Sequence, residues 1–191
     1  MDYQNRKIYL LVDGENIDRT LGQILSKKPK PDQRPRWDKV KIFLEKKFQA
    51  DCRALFFLNA NDGVNGSFIQ ALKMVDFIPI PLVGPPETKV VDQGIIKMLG
   101  ALKSLTSRQK LPAVALVSHD SDFKEAFSAL QDDHHLAIVC FNEFLSGDYR
   151  EIPGLQVFDL EEDVKAFKEE MGPLPRLRQI DIEEFDPYKY L

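Results

Sequence analysis

The run Ile8-Tyr9-Leu10-Leu11-Val12 leads without a break into Asp13-Gly14-Glu15-Asn16. An apolar run of this length reads as a strand covered on both faces, the environment found in the middle of a parallel sheet. A carboxylate at the carboxyl end of such a strand stands where open α/β sheets hold their ligands. Asp13 is therefore the first candidate ligand for a divalent metal. Asn16, just beyond it, is placed to cap a helix over residues 17–25.

The same alternation repeats downstream. Strands are predicted at 52–58, 77–83, 113–117, 136–141 and 155–160, separated by helices at 37–48, 67–75, 89–105 and 123–130, with a last helix at 161–170. Apolar residues recur at helical spacing, as in Val40, Phe43, Leu44 and Phe48, or Ile95, Ile96, Leu99 and Leu102. This order predicts an α/β fold, a Rossmann-like three-layer α/β/α arrangement around a mostly parallel sheet of five or six strands. Pro79 and Pro81 at alternate positions mark 77–83 as an edge strand. Residues 1–170 make one domain in this reading. Residues 171–191 make a tail, rich in proline and mixed charge, that crosses the surface or is disordered.

A chain of 191 residues with 43% apolar content suits a single domain with a full core. Its net charge of -4 does not announce a polyanion, so a nucleic-acid binder of this composition must gather its basic residues on one face. The two cysteines, Cys52 and Cys140, are too few for a disulfide framework or a four-cysteine zinc site, and both fall in apolar strands as buried thiols. Residues 1–7 lack the apolar segment of a signal peptide, and no apolar run approaches the ~20 residues that cross a bilayer. The expected location is cytoplasmic, with no membrane partner. No GxGxxG follows the first strand and there is no P-loop, which argues against a nucleotide cofactor.

Two apolar strands end in acids: Asp13 follows Val12, and Asp120 and Asp122 follow Val117-Ser118. Asp92 stands at the start of the helix before the second of these strands. If the two strands are neighbours, the acids crowd at one sheet edge. Two bare carboxylates about 4 Å apart repel by roughly 4 kcal/mol at an effective dielectric of 20, so such a cluster calls for a cation. Hard oxygen ligands suit Mg2+ or Mn2+, which can activate water and neutralise a phosphoryl group. A plainer reading stands beside this one: Asp92 and Asp122 as helix N-terminal acids, and Asn16, Ser118 or Ser121 as caps. The pairing of Asp13 with Asp120 at the ends of two buried strands favours the metal site.

Val12-Asp13-Gly14-Glu15-Asn16, Lys89-x-x-Asp92 and Ser118-x-Asp120-Ser121-Asp122-Phe123 resemble, in order and spacing, the three motifs of the NYN domain, a PIN-like nuclease fold. The resemblance covers about residues 6 to 160. It implies a Mg2+- or Mn2+-dependent ribonuclease of bacterial type, with Asp13, Asp92 and Asp120 as catalytic metal-binding acids and Asp122 as a fourth. Asn16 and Ser118 would be polar members of the same pocket, orienting ligands or substrate. The chain departs from the pattern at His119, where the family often has Gly. It departs again at Met98, where many members carry another acid. Met98 removes one candidate ligand and motivates an alternative, a non-catalytic RNA-binding or scaffold module with the same fold. A phosphatase or a DNA nuclease using the same acids is a third reading.

The segment Lys27 to Arg36 holds three prolines and five basic residues in ten, an extended exposed loop that is either a solvated connector or a phosphate-contacting arm. Lys27, Lys28, Lys30, Arg34 and Arg36, with Lys89, are the candidate RNA contacts. Lys89 can pair with Asp92 or reach a substrate phosphate. His119 is expected to face solvent. Asp132-Asp133-His134-His135 precedes a strand and so belongs at the opposite sheet edge, as a polar turn.

Overall fold

The computed structural model describes residues 7–106, 113–176 and 182–191. Six parallel strands form one sheet in the order β3-β2-β1-β4-β5-β6. They are β1 (Lys7–Asp13), β2 (Asp51–Asn59), β3 (Phe77–Leu82), β4 (Ala113–Val117), β5 (His135–Cys140) and β6 (Gln156–Asp159). The helices are α1 (Gly14–Leu25), α2 (Trp37–Phe48), α3 (Gly66–Met74), α4 (Val90–Thr106) and α5 (Lys124–Ser128). This is the α/β architecture expected from the alternation of elements.

The apolar run of β1 is divided between two cores. Ile8, Leu10 and Val12 face α1, α2 and α3, where they meet Ile17, Leu21, Val40, Leu44 and Leu72. Leu11 faces the other way, with Leu55, Phe57, Val114 and Leu116 from the sheet, and meets Ile95, Leu99 and Leu102 of α4 and Phe127 of α5. Each such aliphatic or aromatic side chain, fully buried, contributes about 1.5–3 kcal/mol. Both neighbours of β1 are strands, so its faces are covered by helices and its edges by hydrogen bonds.

Sheet order reverses at β1. The chain builds outward to β2 and β3, then returns across to β4 on the other side of β1. Val12 pairs with Val117 in register, so β1 and β4 end level with each other. The crevice at such a reversal is the ligand position of open α/β sheets. β3 lies at one margin, as its prolines require.

Several local expectations need correction. Asn16 does not cap α1: Asp13 does, its Oδ1 accepting the Asn16 backbone N–H at 3.1 Å. The helix expected over 123–130 is a 3-10 turn at Ser121–Phe123 and one short helix. The expected helix over 161–170 is a set of turns with a 3-10 turn at Glu169–Met171. Pro31–Gln33 forms a 3-10 turn inside the proline loop. Cys140 is buried, but Cys52 only partly. Of the tail, Leu174 is buried, and Arg176 pairs with Asp159, Glu161 and Glu143 at 2.7–2.9 Å with its side chain 2% exposed. Among the described residues no helix is long and apolar enough to cross a membrane.

Candidate metal centre

Gly14 lets α1 start directly over the sheet. A Cβ there would stand 2.4 Å from two atoms of the Phe56 ring, which is itself wedged edge-on against Trp37 and Phe68. The absence of a side chain thus brings the first turn of α1, and Asn16 with it, down onto the strand ends.

Asp13 ends β1 and is 3% exposed. Its Oδ1 accepts from the Asn16 N–H, and its Oδ2 accepts from the Ser118 hydroxyl at 3.2 Å. Burial pushes its carboxyl up from 3.8 to about 6; the Asn16 and Ser118 hydrogen bonds pull it down, while Asp92 and Glu15 add to the rise. Ser118 follows β4, is fully buried, and also accepts the Asp120 backbone N–H on its hydroxyl.

Asp120 caps the 3-10 turn after β4, its Oδ1 accepting the Asp122 N–H at 3.0 Å. Its carbonyl is held from the other side by the hydroxyl of Tyr149, a fully buried ring whose phenol is pushed upward by burial and by Asp120 and Asp122. Asp92 projects from the first turn of α4. Asp92, Asp120 and Asp122 each offer one carboxylate oxygen within 4.8 Å of the other two. Asp13 is outside that group of three but shares with two of them, Asp92 and Asp120, a cavity of about 280 Å³ that Glu15, Asn16, Arg19, Asn59 and Lys89 also line.

Lys89 settles between the acids. Its Nζ lies 2.9 Å from Asp122 Oδ2 and 3.4 Å from Asp92 Oδ2, and these carboxylates hold its pKa above the ordinary lysine value. The cluster thus already draws a positive charge. Its oxygen-only donor set fits a hard divalent cation. Met98 instead packs against the α4 side of the core.

His119 is not exposed. It is 7% exposed, its ring stacked on Phe141 with centroids 5.7 Å apart, and burial lowers its pKa to about 4, with Asp159 opposing and Arg176 reinforcing the fall. Asn16 Oδ1 accepts the His119 backbone N–H at 2.9 Å.

The basic loop is mixed in its pairing. Arg34 is bound to Asp18 and Arg36 to Asp38, at 2.7 and 2.6 Å. Lys30 is exposed, while Lys27 and Lys28 line a second cavity of about 470 Å³. Arg19, unremarked in the sequence, lines both cavities and links them along α1. Tyr149 and His119 were equally hard to see, since each acts through a contact distant in the chain. The turn at Asp132 to His135 leads into the start of β5, away from the acids.

The family model described as the NYN domain matches residues 7–150. No curated protein matches the chain. Among solved structures, a protein of unknown function from Vibrio parahaemolyticus RIMD 2210633 is similar in fold, with a TM-score of 0.62 at 17% identity, covering 85% of this chain and 98% of its own.

Proposed function

The chain belongs to the NYN domain family, and from that premise we propose that it is a metal-dependent endoribonuclease hydrolysing RNA phosphodiester bonds. The observation that carries the reading is the convergence of Asp92, Asp120 and Asp122 at the crevice between β1 and β4. These three acids would hold Mg2+ or Mn2+, with Asp13 behind them as the fourth. A bound ion of this kind supplies an activated water and charge neutralisation at a phosphoryl group. The chain's own residues prepare the place. Ser118 and the Asn16 N–H fix the Asp13 carboxylate, and Tyr149 fixes the backbone of Asp120. Lys89, exposed at the rim, is free to exchange its carboxylate partners for a substrate phosphate once a metal neutralises them.

RNA is the proposed partner, in the cytoplasm, and the basic residues support it. Lys27, Lys28 and Lys30 remain available for phosphate contact, joined to the acids through Arg19, while Arg34 and Arg36 would first have to release their carboxylates. Binding through such contacts falls steeply with salt and carries no sequence preference of its own.

The test is Asp120→Asn. With Mn2+ present, wild-type protein cleaves single-stranded RNA and the variant, equally folded by circular dichroism, does not. Full activity in the variant would overturn the assignment. Offering RNA, DNA and a nucleotide monoester side by side separates a ribonuclease from a DNA nuclease or a phosphatase. The second reading, a non-catalytic RNA-binding module, draws on Met98, a partly buried apolar residue packed against the core where many family members carry another acid. It predicts salt-sensitive RNA binding with no turnover.

A further inference from the structure

We infer that Asn16 is a substrate-phosphate contact, presenting its amino group to the cavity because His119 claims its carbonyl oxygen. The inference rests on the ribonuclease reading above and gives one residue of that site a specific partner.

The orientation of an asparagine amide is decided by what its two ends meet. The His119 backbone N–H lies 2.9 Å from one terminal atom of Asn16, and a backbone N–H can only donate, so that atom is Oδ1. The His119 ring repeats the demand. Its Nε2 accepts the Phe141 backbone N–H at 2.9 Å, so in the neutral imidazole the proton is on Nδ1. That Nδ1–H points at Asn16 Oδ1, 2.8 Å away. Thr20 agrees with this assignment. Its hydroxyl proton is given to the Asn16 backbone carbonyl at 3.1 Å, which leaves its oxygen, 3.3 Å from Nδ1, as a second acceptor for the same ring proton. The ring itself cannot turn over easily, lying flat on Phe141 and edge-on to Phe144.

Asn16 Oδ1 therefore receives two donors from one residue. The Nδ2 amino group is the other end of a side chain that lines the cavity with Asp13, Asp92 and Asp120. An amino group carries two protons and no lone pair for a cation, so it does not ligate a metal. It suits an anion, and the anion this site receives is a phosphodiester. His119 is the positioning residue, its side chain adding a second lock to the one its backbone already provides.

The test compares Asn16→Ala and Asn16→Asp with wild type in two measurements: Mn2+ alone by titration calorimetry, and kcat/KM on single-stranded RNA at saturating Mn2+. Asn16→Asp keeps an oxygen for both His119 donors and so preserves the local fold, while replacing the amino group by a second carboxylate oxygen. A hydrogen bond to a charged group carries roughly 10- to 100-fold in binding. Asn16→Ala should lower kcat/KM by that factor with the Mn2+ dissociation constant within about twofold. Asn16→Asp should lower kcat/KM at least as far while binding Mn2+ as tightly as wild type or more so. His119→Asn, whose amide nitrogen falls near the position of Nδ1, should keep kcat/KM closer to wild type than His119→Ala does. A Mn2+ dissociation constant raised tenfold by Asn16→Ala, with kcat/KM recovered at high metal, would make Asn16 a ligand and refute the inference. So would an unchanged kcat/KM in Asn16→Asp. If wild type itself cleaves no RNA, the ribonuclease reading fails first and takes this one with it.

Discussion

Replacing Asp13 by asparagine should stabilise the metal-free protein at neutral pH, the reverse of what removing a hydrogen-bonded buried residue usually does. In the fold the Asp13 carboxyl titrates at about 6 against an ordinary 3.8. At about 1.4 kcal/mol for each pKa unit, the ionised group costs the fold about 3 kcal/mol above pH 6. Asparagine keeps both local bonds, since its oxygen can accept from the Asn16 N–H and its amino group can donate to the Ser118 hydroxyl. The folded-state pKa lies above the unfolded one. The stability owed to the proton is therefore complete below pH 3.8 and is lost as pH rises through about 6. In a chelator at pH 7.5, Asp13→Asn should unfold about 6–12 °C higher than wild type, at roughly 2–4 °C per kcal/mol for a domain of this size. The gap should close as pH approaches 4. Paired thermal melts followed by circular dichroism across that range measure it. A variant that melts at or below wild type at pH 7.5 would refute the account of Asp13 as a carboxylate held against its preference.

Three further outcomes follow from the geometry. Gly14→Ala forces a methyl into the Phe56 ring and should cost about 1–3 kcal/mol in urea unfolding, with wild-type stability excluding the tight fit. Arg176→Met leaves Asp159 buried without its guanidinium and should cost about 3–5 kcal/mol at pH 7. Burial drives Asp159 up, but Arg176 and the N–H groups of Glu162 and Asn142 outweigh it and hold the acid below its ordinary value, so this stability is present above the usual carboxylate range. It is lost on acidification, and the penalty of the variant should shrink there; a penalty independent of pH would contradict the pairing. Lys89→Met removes the ammonium that competes for Asp92 and Asp122 and should tighten Mn2+ binding by about twofold to fivefold in calorimetry, a small effect because the pair is exposed. Weaker binding would show that Lys89 helps to build the site.

The strands and their order of burial could be read from the chain because parallel strands covered on both faces leave unbroken apolar runs, as in Ile8 to Val12 and Ala113 to Val117. The acids were legible for the same reason, as the first polar residues after such runs. What failed was local chemistry decided by distant partners. Asn16 has the composition of a cap, yet Asp13 reaches the free N–H first. His119 sits among polar neighbours in sequence and is buried by Phe141 and by α1 in space. Residues 161–170 have helical spacing at Val164 and Phe167, and both are buried, but Asp159 takes the N–H groups of Glu161 and Glu162, and Lys165 turns to a positive φ of 55°. Short polar side chains that capture backbone donors compete with the helix, and here they win.

The same competition explains why the site carries so many acids without unfolding the domain. A reversal of sheet order opens a crevice that must be polar, because the strand ends and the first turn of α1 leave backbone donors there. Carboxylates are the natural acceptors, and Asp13 and Asp120 each take one N–H. Each acid is therefore partly structural, and the structural use explains its position but not its company. One acceptor per helix start would suffice. Three carboxylates within 4.8 Å of each other, with a fourth behind them titrating at about 6, exceed what capping needs. The surplus charge is met in part by Lys89, an exposed side chain that can leave, and in part by the raised titration of Asp13, which gives up its charge only as pH falls through about 6. Neither answer removes the repulsion among the remaining acids at neutral pH, and a divalent cation would. The fold thus supports more negative charge at this edge than its own stability requires, which is the physical reason to regard the acids as a site.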